Sequence, residues 1–151
     1  TYLNLPIENI KEIILDSLKD NQPVWFGSDV GKYKSKNSDF LDIDMFDYDK
    51  LLMVNTNMTK EQELLTGNSV PSHAMVIVGC NTNYHTWLVE NSWGNKGSFG
   101  GNLIITDMWF DQYCYHFVID KKYLTDSQRI VMQDNNIILL EPWDPYGTLA
   151  S

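Results

Sequence analysis

The chain has 151 residues, of which 43% are apolar and 21% charged, ordinary globular usage that argues against disorder. At that length folding can bury roughly two-thirds of the surface of the unfolded chain. Twenty acidic against eleven basic side chains leave a net charge of -9. Such a surface repels phosphate backbones, so no nucleic-acid partner is expected.

No segment approaches the ~18 consecutive apolar residues of a membrane-spanning helix. The stretch from Thr1 to Asp20 has no basic start followed by an apolar run, so it does not read as a signal peptide. The two cysteines, Cys80 and Cys114, lie in apolar, strand-like runs. They are expected to be buried free thiols rather than a disulfide framework, which favours a reducing, cytoplasmic setting. His73, His85 and His116 are scattered without metal-ligand spacing. No metal and no other cofactor is expected.

Ile7 to Asp20 reads as a helix, because Ile7, Ile10, Ile14 and Leu18 recur at three- and four-residue steps and make one apolar face. Pro6 suits its first turn and Asn21 its stop. Pro23 to Val30 reads as a strand, with Val, Trp and Phe bounded by Pro and Gly. Gly31 to Asn57 is rich in Lys, Ser, Asn and Asp and reads as a surface excursion with short ordered pieces. Thr59 followed by Gln62 is a capping-box pattern, and it predicts a short helix ending near Gly67.

The second half is strand-rich. Strands are expected over His73 to Asn81, Thr86 to Asn91, Asn102 to Thr106 and Tyr115 to Asp120. Asn83 and its polar neighbours could turn the chain between the first two, which would then form an antiparallel pair. Asp107 to Tyr113 suits a short helix. Thr125 with Gln128 repeats the capping box for a helix reaching about Gln133. Neither repeat nor linker is visible, so residues 1–151 read as one domain.

The chemistry sits in Ser72-His73-Ala74-Met75 and Val89-Glu90-Asn91-Ser92-Trp93-Gly94. A histidine opens one strand of the expected hairpin, and an asparagine closes the next. An asparagine carbonyl can accept a hydrogen bond from one imidazole nitrogen. That fixes the ring and its tautomer and leaves the other nitrogen free to face a thiol. A thiol beside such an imidazole ionises readily, and the thiolate is a nucleophile. Taken singly, a strand histidine is more often structural and an asparagine before Ser-Trp-Gly more often a turn residue.

The combined pattern resembles the histidine and asparagine boxes of papain-like cysteine peptidases. Further boxes resemble the bleomycin hydrolase branch, which includes the bacterial aminopeptidase C enzymes. These are Pro23 to Lys32, Val89 to Gly94, Thr106 to Phe110 and Pro142 to Gly147, in that order. The resemblance runs from about Ile10 to the end.

It implies an α+β chain, the β-rich half of a papain-like cysteine peptidase fold, with a twisted antiparallel sheet and flanking helices. It also implies a cysteine aminopeptidase in which His73 is the catalytic imidazole and Asn91 orients it. Trp93 then matches the indole that shields the pair, and Ser72 lies near the cleft floor. The tail through Ala150 and Ser151 resembles a segment whose terminal carboxylate can pair with the α-amino group of a peptide. Implied partners are peptide substrates, the Cys-bearing half of the same enzyme and further copies in a hexamer. A cytoplasmic location is implied as well.

The family's nucleophilic cysteine and oxyanion-hole glutamine lie in an upstream helical portion, and no residue here matches either. Strand spacing would set Cys80 about 20 Å or more from the His73 ring, and Cys114 has no helix-start or glycine-rich context. The isolated chain is therefore expected to be inactive. A competing reading is a catalytically dead papain-like domain kept for binding or assembly; the joint presence of His73, Asn91 and Trp93 favours the enzyme.

Overall fold

The computed structural model describes residues 2–34, 37–95, 97, 99–133, 138–141 and 144. The elements are α1 (Ile7–Lys19), β1 (Val24–Ser28), β2 (Phe40–Leu41), α2 (Tyr48–Leu52), α3 (Lys60–Leu65), β3 (His73–Asn81), β4 (Thr86–Glu90), β5 (Asn102–Thr106), α4 (Asp107–Tyr113), β6 (Cys114–Val118) and α5 (Asp126–Gln133). The class is α+β, the β-rich half of a papain-like fold. None of the described helices is long and apolar enough to cross a membrane.

The strands form a six-stranded sheet in the order β2-β5-β4-β3-β1-β6. The pairs among β1, β3, β4, β5 and β6 are antiparallel. One face of the sheet carries the core. Phe26, Met75, Ile77, Trp87, Val89, Leu103 and Ile105 point there, and Ile14 of α1 and Trp109 and Phe110 of α4 close over them. Phe110 stacks on Trp87 with centroids 5.0 Å apart and on Phe117 at 5.3 Å. Alternation along each strand leaves Trp25 and Leu88 exposed on the other face.

Local chemistry explains the element ends. Thr59 Oγ1 accepts from the Gln62 backbone N–H at 3.2 Å, and Gln62 Oε1 accepts from the Thr59 N–H at 2.8 Å. Thr125 and Gln128 make the same reciprocal pair at 3.3 and 2.8 Å ahead of α5. Lys11, on the buried side of α1, reaches Asp111 of α4 at 2.7 Å and so ties the two helices together.

Several expectations need correction. The first strand is shorter than Pro23–Val30, since Asp29 N–H already turns to the Tyr113 carbonyl. The last strand begins one residue earlier, at Cys114. The β3–β4 turn does fall at Asn83 and its neighbours, and Asn81 Oδ1 holds it by accepting from the N–H groups of Asn83 and Tyr84 at 3.1 and 3.2 Å. The excursion from Gly31 to Asn57 contains an edge strand of the sheet: β2 pairs in parallel with β5, Phe40 opposite Ile104 and Leu41 opposite Ile105. Cys80 is exposed, because it lies near the open end of β3 beside the turn; Cys114 is buried.

Candidate active site

The site forms at the end of the sheet where β1 stops, β3 starts and β4 finishes. Ser28, the last residue of β1, stands opposite His73, the first of β3. The segment leading into His73 is pinned to the chain just past β1. Ser72 N–H donates to the Ser28 carbonyl at 3.0 Å. Buried Ser69 donates its hydroxyl to Asp29 Oδ2 at 2.8 Å and lies 2.5 Å from the Tyr115 hydroxyl. The Ser72 hydroxyl is exposed and 3.4 Å from Asp29 Oδ1. Asp29 therefore anchors the approach to His73 at Ser69 and Ser72, a role that no sequence motif announces.

The β3–β4 hairpin brings the two boxes together. His73 Nε2 is 3.0 Å from Asn91 Oδ1. An amide oxygen can only accept, so Nε2 is the donor, and in a neutral imidazole Nδ1 is then the nitrogen that can take a proton. Among the described residues Asn91 Nδ2 is buried without a hydrogen-bond partner, so the amide is oriented through its contact with the imidazole. The Trp93 indole lies against the His73 ring, with centroids 4.9 Å apart and planes at 31°. It packs on the His73 ring while remaining half-exposed itself.

The loop after Trp93 is held by tight backbone contacts. Gly101 has φ +90°, and a Cβ there would run into the Gly94 carbonyl. Only glycine fits that crossing. Asp39 grips the loop from outside, its Oδ2 accepting from the Phe99 N–H at 3.3 Å and its carbonyl from the Ile104 N–H at 2.8 Å. Lys34 places its ammonium 3.7 Å from the Trp93 ring centroid. Burial lowers its pKa below the ordinary lysine value of 10.5, and Asp39 partly offsets this. Neither Lys34 nor Asp39 was singled out by the sequence, since both fall in the polar excursion.

Neither cysteine is placed to serve as the nucleophile. Cys80 pairs with Trp87 at the far end of β3. Its thiol is pushed up by burial and by Asp107. Cys114 is fully buried, with the β1 strand between it and β3, and burial pushes its thiol far up. A raised thiol pKa suppresses the nucleophilic thiolate. A surface groove of about 620 Å³ lies on the Cys80 side and is lined by Leu88 and Ile104, not by His73. The tail residues Ala150 and Ser151, and most of the Pro142–Gly147 box, lie outside the described residues.

An imidazole oriented by an amide at the end of an antiparallel sheet, under an indole, defines the class: the histidine-bearing half of a papain-like cysteine peptidase. The profile of the Peptidase C1-like family matches residues 1–147, and the chain belongs to that family. It is 39% identical over 156 residues to bleomycin hydrolase of Gallus gallus, covering 99% of this chain and 34% of that one. Against aminopeptidase C of Lactobacillus delbrueckii subsp. lactis the identity is 38% over 154 residues, with the same coverage. The crystal structure of pepw from Lactobacillus rhamnosis superposes with a TM-score of 0.87 at 38% identity, covering 94% of this chain and 33% of that one. The chain thus spans about a third of the length of these relatives.

Proposed function

We propose that these residues form the general-base half of a cysteine aminopeptidase. The observation that carries this reading is the His73 Nε2–Asn91 Oδ1 hydrogen bond, which leaves Nδ1 to take a proton from a thiol. The names of the relatives, bleomycin hydrolase and aminopeptidase C, support the peptidase type.

In this reading a cysteine supplied by a longer chain gives its proton to His73 Nδ1. The thiolate attacks the carbonyl carbon of the first peptide bond. His73 returns the proton to the departing amine as the C–N bond breaks, and a thioester remains. Water then loses a proton to His73, attacks the thioester and frees both the amino acid and the thiolate. Asn91 holds the ring through the cycle and stabilises the imidazolium, Trp93 excludes water, and Ser72 borders the cleft.

The terminal carboxylate after Ala150 and Ser151 would pair with the substrate's α-amino group, restricting cleavage to N-terminal residues. The whole enzyme would assemble as a hexamer in the cytoplasm, and residues 1–151 would act as one domain of it. By itself this domain would be inert.

The test uses the longer chain that supplies the thiol. His73→Ala should lower kcat/KM on an aminoacyl fluorogenic peptide by about 10²- to 10⁴-fold, the usual worth of a positioned general base. Unchanged turnover would sink the assigned role. Thiol-dependent cleavage by the purified 151-residue chain would overturn the claim that it is inert.

A further inference from the structure

We infer that Lys34 is a positioning residue: its ammonium, seated over the Trp93 ring, clamps the indole beside the His73–Asn91 pair, and Asp39 holds the same loop beside it. The inference rests on the reading of His73 as the base, but the contact is a property of the folded chain.

Three contacts run in series. Lys34 Nζ lies 3.7 Å from the Trp93 centroid. The Trp93 ring lies 4.9 Å from that of His73. His73 Nε2 lies 3.0 Å from Asn91 Oδ1. Trp93 is 47% exposed and sits in a loop outside any strand, so burial alone does not hold it. A cation over an indole face is attracted by the ring quadrupole, and more strongly when the ammonium is partly desolvated. Lys34 is half-buried.

The backbone around it is fixed independently. Lys34 bridges Leu41, and Leu41 pairs with Ile105 of the sheet. Five residues on, Asp39 binds the Phe99 N–H. A Cβ on Gly97 would meet the Asp39 carboxylate, so the loop passes close against it. The segment that looks like a dispensable excursion therefore braces the asparagine-tryptophan loop at two points.

Neutral lysine would not clamp, and arginine would. This separates an electrostatic clamp from mere coverage. Asp39 is the carboxylate whose charge acts on Lys34, and it partly offsets the effect of burial there. Burial places the Lys34 titration below the ordinary lysine range.

The experiment follows the His73 ring protons and the Nε2–H by NMR in the 151-residue protein, with resonances assigned through His73→Gln and Trp93→Phe. In Lys34→Met the His73 protons should move downfield as the indole leaves. Exchange of the Nε2–H should accelerate roughly threefold to thirtyfold, the range for one cation–π contact. Lys34→Arg should keep the wild-type shifts and exchange rate. Raising the wild-type protein from about pH 8 to about pH 11 should reproduce the Met-variant shifts as the ammonium loses its proton. The Arg variant should not move, because guanidinium does not titrate there.

A Met variant indistinguishable from wild type, an Arg variant that behaves like Met, or a wild-type protein without the alkaline step would each overturn the clamp. If Lys34→Met does not fold, the titration and the Arg variant still decide. Unchanged turnover of His73→Ala in the longer chain would refute the catalytic reading and leave the clamp standing.

Discussion

Asn91→Ala isolates what the orienting amide does. It removes the acceptor that lies 3.0 Å from His73 Nε2 in a partly buried setting. A hydrogen bond of this kind contributes about 0.5–1.5 kcal/mol net. Without it the Nε2–H tautomer should lose about twofold to tenfold in its ratio to the Nδ1–H form, since 1.4 kcal/mol is a factor of ten. The Nδ1–H form cannot accept a thiol proton.

The ring would also be freer to turn beneath Trp93, so the catalytic loss should exceed the tautomer shift. The ¹⁵N shifts of the His73 ring nitrogens report the tautomer directly in the 151-residue protein. In the longer chain kcat should fall at least about tenfold while KM changes little, because the amide acts on the base and not on the peptide. The same tautomer population and the same kcat in the Ala variant would refute the reasoning. A rise in KM with unchanged kcat would reassign Asn91 to substrate binding.

Two further predictions concern the scaffold. Gly27 on β1 supports the flat side of the His116 ring, and a Cβ there would strike its Cε1 and Nε2 atoms, while Trp25 and Tyr2 pack around that ring. Gly27→Ala should destabilise by about 1–3 kcal/mol, lowering Tm by about 3–10 °C for a domain of this size; an unchanged Tm in a thermal scan would mean the ring yields without cost.

Lys60 is half-buried, donates to the carbonyls of Asp111 and Cys114, and lies 4.9 Å from the Tyr115 centroid. Its pKa is lowered from 10.5, with desolvation the largest cause. Its folded value therefore lies below its unfolded one, and between the two the unfolded chain binds more protons. Stability from this group should rise as pH climbs through that window toward 10.5. Urea unfolding across the window should show the rise in wild type and a flatter profile in Lys60→Met. Equal slopes would refute the shift.

Patterns that act over a few residues were legible before any fold was known. The reciprocal hydrogen bonds of Thr59 with Gln62 and Thr125 with Gln128 need only four consecutive residues, so both α3 and α5 were foreseen with their starts. The bounds of β3, β5 and α4 follow from alternation and from a change of period at Thr106, whose hydroxyl then accepts from the Trp109 N–H. The proximity of His73 and Asn91 was also within reach, because a hairpin converts spacing in sequence into distance in space.

Other features depend on partners far along the chain, and local composition does not carry them. The polar segment around Phe40 became an edge strand only because β5 offered a free ladder. Cys80 looked buried by its apolar neighbours, yet it lies near a strand end beside an open turn; Cys114, which opens β6, is buried in the core. Asp29, Lys34 and Asp39 lie remote in sequence from the groups they hold, and their roles appear only once β1, β3 and β5 are assembled. Short-range hydrogen bonding and periodicity let the sequence by itself determine most of the elements, the hairpin and the proximity of His73 and Asn91. The tertiary structure decided what covers and braces that pair, because a clamp between segments roughly sixty residues apart exists only after long-range packing has brought them together.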